Sequence, residues 1–379
     1  MAKELTYADK ASRKMVKRAT EEGIQVVWDR YEVMQPQCGF GTLGICCKIC
    51  SMGPCRIDPF GQGPQVGVCG ANADTIAARN LVRMIAGGVA AHSDHGREIA
   101  YTLLMAAEDP KSDYTIKDEE KLKAVAQIYE IKTEGRKIKE IAGDVARAAL
   151  NEFGRQEGEL RMASAAPEKR QKLWRELGLM PRAIDREIVE IMHRTHMGVD
   201  TDYKNIIRHG MRAAIGDGWG GSMVATEISD ILFRKPVPIR ANSNLGVLKK
   251  DQVNILVHGH EPTLSDIIAV VSQDEKLIAK AKEKGAKGIN LAGICCTANE
   301  ILMRHGIAVA GSFLQQELAI ITGAVDLMVV DVQCLMPGLS TVTNCFHTKL
   351  ITTSPKAKMP GVQHIEFHED KAVKIATEI

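Results

Sequence analysis

A helical domain followed by a doubly wound α/β domain is the fold class this sequence predicts, and three observations carry it. Before about residue 230, apolar residues recur three and four apart, as in KLKAVAQIYEIKTEGRKIKEIAGDVARAALNEFG, and no run reads convincingly as a strand. Beyond Pro236 and Pro238, short apolar runs alternate with helical stretches, the pattern of a parallel sheet covered by helices on both faces. Between Cys38 and Gly70 the helical pattern is interrupted by 33 residues that hold six cysteines and eight glycines.

The elements follow in order. The first helical stretch runs from about residue 5 to 30, ahead of the cysteine segment. Asn72 caps the next helix, NADTIAARNLVRMIAGGVAA, whose end Gly87–Gly88 is expected to weaken. From Asp113 to about Met197, Lys, Glu, Arg, Ala and Leu recur at helical spacing with solvated charged faces. VNILVHGH (Val253–His260) reads as the first buried strand, followed by a helix over Thr263–Ala286. GINLAGICC (Gly288–Cys296) is the second strand and TANEILMRHG its helix. IAVAGSF is the third, ahead of LQQELAIITGA, and VDLMVVDVQC (Val325–Cys334) the fourth, ahead of GLSTVTNCF and KLITTSP. The expected organisation is a helical domain over residues 1–235, with the cysteine segment at 38–70, and a Rossmann-like α/β domain over residues 236–379.

Composition excludes several classes. A length of 379 residues, 45% hydrophobic, is enough for two or three domains with real cores. A formal net charge of +2 and 4% aromatics leave neither a broad basic face nor stacking platforms for nucleic acid. The N-terminal MAKELTYADKASRKMVKRATEEG has no apolar core of a secretory signal, and no run approaches a membrane span. A cytoplasmic protein is expected, where a cysteine cluster binds metal or does chemistry more often than it forms disulfides.

The cysteine spacing is Cys38-x7-Cys46-Cys47-x2-Cys50-x4-Cys55-x13-Cys69. Structural zinc usually takes paired C-x2-C knuckles, and only Cys47 and Cys50 form one here. Three close thiolates and one remote one suit an iron–sulfur cubane better, and Cys47, Cys50, Cys55 and Cys69 fit that form. The glycines support this choice over zinc, because small residues let backbone N–H groups reach cluster sulfurs. Cys38 and Cys46 are left over. Two chains donating two thiols each across a two-fold axis would hold a shared cluster and make the protein a homodimer; otherwise the two are unliganded thiols.

In the α/β domain, His258 and His260 end the first strand (HGHEP), Cys295 and Cys296 the second (GICCT), and Cys334 the fourth (VQCLMPG). Ligands of open α/β sheets bind outside the carboxyl ends of the strands, so three distant segments are expected to converge. Imidazole with thiolate suits iron, nickel or zinc. Cys345 falls in a helical pattern and reads as a core residue.

CGFGTLGICCKICSMGPCRI, AHSDHGR, VHGHEP, GICCTANEILMRHG, DVQCLMPGL and HTKLITTSPKAKMPG together resemble the catalytic subunit of the anaerobic nickel–iron–sulfur carbon monoxide dehydrogenases, from about residue 30 onward. The resemblance implies a homodimer that oxidises carbon monoxide with water to carbon dioxide and passes two electrons to a ferredoxin-type acceptor. It implies one [4Fe-4S] cluster per chain on Cys47, Cys50, Cys55 and Cys69, and one shared between two chains on Cys38 and Cys46. By the same resemblance, His260 and Cys296 hold the pendant iron of the nickel–iron–sulfur active-site cluster, and Cys334 holds its cubane portion. Cys295 matches the thiol that serves an alternative form of that cluster. His92 and His95, three residues apart on one helical face, match the active-site histidine and the next member of a proton path. On their own they would read as ordinary helix histidines.

Two departures stand against the family plan. Where the histidine series continues, this chain has Glu98 and Tyr101. Three further cysteine ligands and a lysine belong to another α/β domain, and after Cys334 this sequence has only Cys345 before it stops at Ile379. A truncated chain with an incomplete active-site ligand set is therefore expected. Acetyl-CoA synthase or a hydrogenase is the kind of partner the resemblance admits. The competing readings are a related hybrid-cluster hydroxylamine reductase, which the Cys46–Cys47 pair and HGHEP oppose, and a non-catalytic dimeric electron-transfer module. GDGWGG (Gly216–Gly221) matches G-x-G-x-x-G but follows a helix and lacks the downstream acid, so it reads as a tight loop near the domain junction. HRTH (His193, His196) reads as structural.

Overall fold

Asn72 starts a 36-residue helix, Ala73–Glu108, in the computed structural model, which describes residues 7 and 9–379. The Asn72 side chain accepts from the Thr75 amide at 2.9 Å, as a helix N-cap should. Gly87–Gly88 do not weaken the helix as expected. Ile76, Val82, Val89, Ile99 and Leu103 are buried along its face, and burial outweighs the propensity cost of two glycines. Around it pack the helices Ile138–Gly154, Ile184–Arg194 and Tyr203–Gly216. GDGWGG is not a loop. Asp217–Gly221 form a π-helical turn that joins Tyr203–Gly216 to Ser222–Phe233, a form that recurs at functional sites.

The cysteine segment contains a short antiparallel ladder unseen in the sequence, β1 (Cys46–Cys47) with β2 (Cys55–Arg56). With the helices just named it belongs to one compact unit, Pro36–Pro110 and Tyr114–Leu232.

The second unit comprises the described residues up to Gln35, Lys111–Asp113 and Phe233–Ile379. A single boundary at residue 235 therefore misplaces the chain's beginning, which packs with the α/β unit. The physical reason is a small apolar face. Tyr7, Val16, Ala19 and Val26 share one core with Leu256, Ala292, Ile294, Met328 and Val330 of the sheet. The Tyr7 hydroxyl donates to the Leu314 carbonyl at 2.7 Å, and buried Glu317 accepts from the Val27 amide and the Arg30 guanidinium.

The sheet has six strands, β3 (Val253–Gly259), β4 (Ile289–Ile294), β5 (Val309–Gly311), β6 (Leu327–Val330), β7 (Lys349–Thr352) and β8 (Gln363–His364). Every pair is parallel, in the order β5-β4-β3-β6-β7-β8. This is the doubly wound order with its reversal between β3 and β6, where such sheets open a crevice at their carboxyl ends. The two-residue β8 was not anticipated. Cys345 is exposed rather than core, because Leu339 and Val342 take the buried face of the preceding helical turn.

Candidate metal centres

The four thiols expected to form one cubane converge. Cys47, Cys50, Cys55 and Cys69 line a single small cavity of the helical unit, together with Gly53, Gly67, Ile76 and Arg79. A Cβ on Gly67 would lie 3.3 Å from the Cys55 Cβ and 3.4 Å from its sulfur, so a larger residue would push this ligand inward. The Val68 amide lies 3.5 Å from the Cys55 sulfur, an N–H···S contact of the kind that tunes clusters. The Ala71 backbone N–H, against a smaller burial effect, and then Arg79 lower the Cys69 thiol below its ordinary value. Soft donors, apolar walls and sulfur-directed N–H groups together fit a four-iron cubane.

Cys38 and Cys46 are not among the residues lining that cavity. Cys38 is exposed and precedes the Gly39–Thr42 helical turn. The amides of Gly41 and Phe40 lower its thiol, which favours the thiolate form that ligates metal. Leu43, Met52 and Phe60 are exposed in the same segment.

The second constellation sits at the carboxyl ends of β3, β4 and β6. Gly259 and Cys295 form a parallel bridge beyond the regular ladder, which sets the His260 backbone beside the start of the Cys295–His305 helix. Cys295, Gln333 and Cys334 have φ values of 64°, 64° and 56°. Left-handed backbone at non-glycine residues costs of order 1 kcal/mol or more and clusters at functional sites. Burial, then the Cys334 and Cys296 thiols, push Cys295 up to about 12. Burial, then Cys334, also raise Cys296. Adjacent thiolates repel, and a cation among them reverses that balance. Buried His260 adds an imidazole, so the donor set fits a mixed nickel–iron–sulfur site. One expected ligand-segment residue turns elsewhere: His258 is fully buried and donates from Nε2 to Gln316 Oε1 at 3.1 Å.

Gln316 was not legible as a site residue. Its Oε1 also accepts from the Met336 amide at 2.9 Å, and its Nε2 donates to the Cys334 carbonyl at 2.9 Å. One buried amide thus satisfies both sides of the strained Cys334 turn.

In the helical unit, His92 and His95 lie on the long helix, His92 half-exposed and His95 buried. His92 Nδ1–H donates to Asp217 Oδ1 at 2.8 Å, with Ser222 Oγ at 3.1 Å. The Asp217 hydrogen bond raises the imidazole above its ordinary value, against burial. Asp217 was missed because GDGWGG read as a loop, although the glycines were the signal. A Cβ on Gly221 would stand 3.0 Å from the His92 carbonyl carbon and the Ser93 nitrogen. Only glycine lets that turn approach the helix.

Among the described residues, one group of carboxylates and imidazole has its ligand atoms close enough for a single ion: Glu187, Glu190 and His209. Four guanidiniums already occupy it. Arg182 and Arg212 reach both carboxylates, and Arg186 and Arg194 reach Glu190. It is a buried ion-pair network rather than a metal site.

The thiol-lined cavity and the histidine–cysteine set at the switch point of a doubly wound sheet define a class, the metal-cluster proteins. The chain belongs to the Prismane/CO dehydrogenase family, whose model matches residues 45–379. It is 57% identical over 371 residues to carbon monoxide dehydrogenase 1 of Methanosarcina mazei, covering 98% of this chain and 59% of that protein. The fold is similar to that of a nickel-free carbon monoxide dehydrogenase from Thermococcus sp. AM4, with a TM-score of 0.95 and 53% identity over 98% of this chain and 60% of that one. It is also similar to an acetyl-CoA synthase/carbon monoxide dehydrogenase with NiZn[Fe4S4] and NiNi[Fe4S4] clusters, at a TM-score of 0.95 and 44% identity over 99% and 56% of the two chains. The chain thus spans about three fifths of the length of the curated relatives it matches. No helix of the described residues is long and apolar enough to cross a membrane.

Proposed function

We propose that this chain is part of an enzyme that oxidises carbon monoxide with water to carbon dioxide and delivers two electrons to a ferredoxin-type acceptor. The observation that carries the proposal is the coexistence of two separate constellations: the Cys47, Cys50, Cys55 and Cys69 cavity and the His260, Cys295, Cys296 and Cys334 segments at the carboxyl ends of three neighbouring strands. An electron-transfer module needs only the first.

The assignment of residues follows. Cys47, Cys50, Cys55 and Cys69 hold a relay [4Fe-4S] cluster. Cys38 and Cys46 join the same pair from a second chain around a shared cluster, and the exposed Leu43, Met52 and Phe60 nearby in sequence suit a homodimer surface. His260, Cys295, Cys296 and Cys334 supply this chain's share of the nickel–iron–sulfur ligands. That cluster supplies a Lewis-acidic site at which carbon monoxide and water are activated. His92 and His95 handle protons, and Asp217 fixes the His92 ring through Nδ1, leaving Nε2 as its exchanging nitrogen. The relatives' names make acetyl-CoA synthase a candidate partner, with a hydrogenase as the alternative.

The test is anaerobic production of the intact gene product, with iron, nickel and carbon monoxide-dependent viologen reduction measured together. Nickel with carbon monoxide-dependent reduction is the expected result. Iron without nickel, and no reduction by carbon monoxide, would leave an electron-transfer protein and refute the proposal.

A further inference from the structure

Asp331 is a buried carboxyl just after β6, three residues before Cys334; it opens the DVQCLMPGL motif, but the proposed ligand set gives it no role. Its four hydrogen-bond donors come from all three ligand-bearing segments. Oδ1 accepts from the His260 amide at 2.7 Å, from the Glu261 amide at 3.5 Å, and from the Val332 amide. Oδ2 accepts from the Thr297 hydroxyl at 3.2 Å, immediately after Cys296. Burying a carboxyl is costly unless hydrogen bonds compensate, so its presence here needs an explanation beyond packing.

A second observation comes from the HGHEP motif. Gly259 has φ +144°, and a Cβ placed on it would stand 1.8 Å from Asp331 Oδ1. The carboxyl therefore occupies the space of the missing side chain. The glycine between the two histidines is required as much by Asp331 as by its own backbone angle.

We propose that Asp331 is the positioning residue of the histidine–cysteine centre, a single acceptor that locks the backbones carrying His260, Cys296 and Cys334 in register before any cluster is bound. The inference rests on the function proposed above and deepens it. The role is geometric. Oδ1 accepts from three amides, whereas Oδ2 meets only a hydroxyl, which can reverse and donate elsewhere or accept. Asparagine keeps the first oxygen and offers Thr297 an N–H, so D331N should preserve the register. Partners of this kind alter metal affinity by 10- to 100-fold in other metalloproteins, roughly.

The experiment uses the intact gene product, anaerobically matured, as wild type, D331N and D331A. Nickel and iron per chain are measured, with Mössbauer or EPR spectra separating the nickel–iron centre from the relay cubanes. D331A is expected to lose roughly tenfold or more of the nickel–iron signal while the relay cubanes keep theirs, which shows that the chain still folds. D331N is expected to stay within about twofold of wild type. In cluster-free protein, hydrogen exchange at the His260 and Glu261 amides should accelerate in D331A and not in D331N. Retention of the nickel–iron signal in D331A would overturn the inference, as would equal loss in D331N and D331A. A wild type with relay cubanes but no nickel–iron signal would instead refute the function on which the inference rests.

Discussion

The long helix offers a test in which one substitution has opposite signs at two positions. In a solvent-facing helix interior, Gly→Ala stabilises by up to about 1 kcal/mol, because alanine loses less backbone freedom on folding. At Gly88 a Cβ meets nothing within 4 Å, so G88A should follow that rule. At Gly96 the Cβ would stand 2.8 Å from the Gly221 carbonyl oxygen and 3.3 Å from the Phe153 ring. The ring can turn, but the carbonyl belongs to the backbone. Relief to ordinary contact needs the helix and the π-helical turn to part by roughly 0.5 Å. Overpacking of this kind costs about 1–3 kcal/mol and exceeds the propensity gain. A net destabilisation of roughly 1–2 kcal/mol follows, or about 2–8 °C in the unfolding midpoint of a domain this size. The same displacement carries Asp217 away from His92. The imidazole should then fall back toward its ordinary value, and the acid limb of any step needing neutral His92 should move to lower pH. Calorimetry on both variants and a pH–rate profile on G96A are the measurements. If G96A is as stable as G88A, or if its acid limb stays in place, the close approach of Gly96 and Gly221 does not hold the Asp217–His92 pair.

Two further outcomes follow from the same reasoning. D217N should lower the His92 pKa. Because the folded value is raised, the stability it contributes is present at acid pH and lost as pH rises through the folded value; NMR titration of the ring reads this shift, and an unchanged value would sink the assignment. E187Q should destabilise the helical unit by about 3 kcal/mol, since it removes the buried charge shared by Arg182, Arg212 and His209 and leaves them only Glu190. Against a burial that pushes it up, hydrogen bonds from His209 and Arg182, with the Arg212 charge, hold Glu187 well below the ordinary carboxylate range. Its contribution is therefore present above about pH 4.3, the unfolded value, and is lost as pH falls through the depressed folded one. Denaturation between pH 5 and 2 should show wild type losing its advantage over E187Q, and zinc should stabilise neither protein.

What could be read without coordinates was local. Thiol spacing is a property of a short segment, so Cys47, Cys50, Cys55 and Cys69 were recognisable as one set before their cavity was seen. Periodicity of two and of 3.6 is likewise local, and it marked the α/β region and four of its strands. The strand-end positions of His260, Cys295, Cys296 and Cys334 were legible from the apolar runs before them, and the structure sets the strands that carry them side by side.

The remainder depended on contacts across long sequence separations. The first helical stretch joins the α/β unit because its small apolar face fits Leu256, Ala292 and Met328, a match that no window of residues contains. GDGWGG changed from loop to π-helical turn because the glycines are needed for approach to another helix, not for a bend. Asp217, Gln316 and Asp331 are ordinary polar residues in sequence. Burial and partners 70 to 125 positions away give the two acids their meaning. The sequence by itself determined which atoms are available to hold metal and which segments present them. Only the tertiary structure decided what holds those segments still, because hydrogen-bond satisfaction of buried groups is settled in three dimensions rather than along the chain.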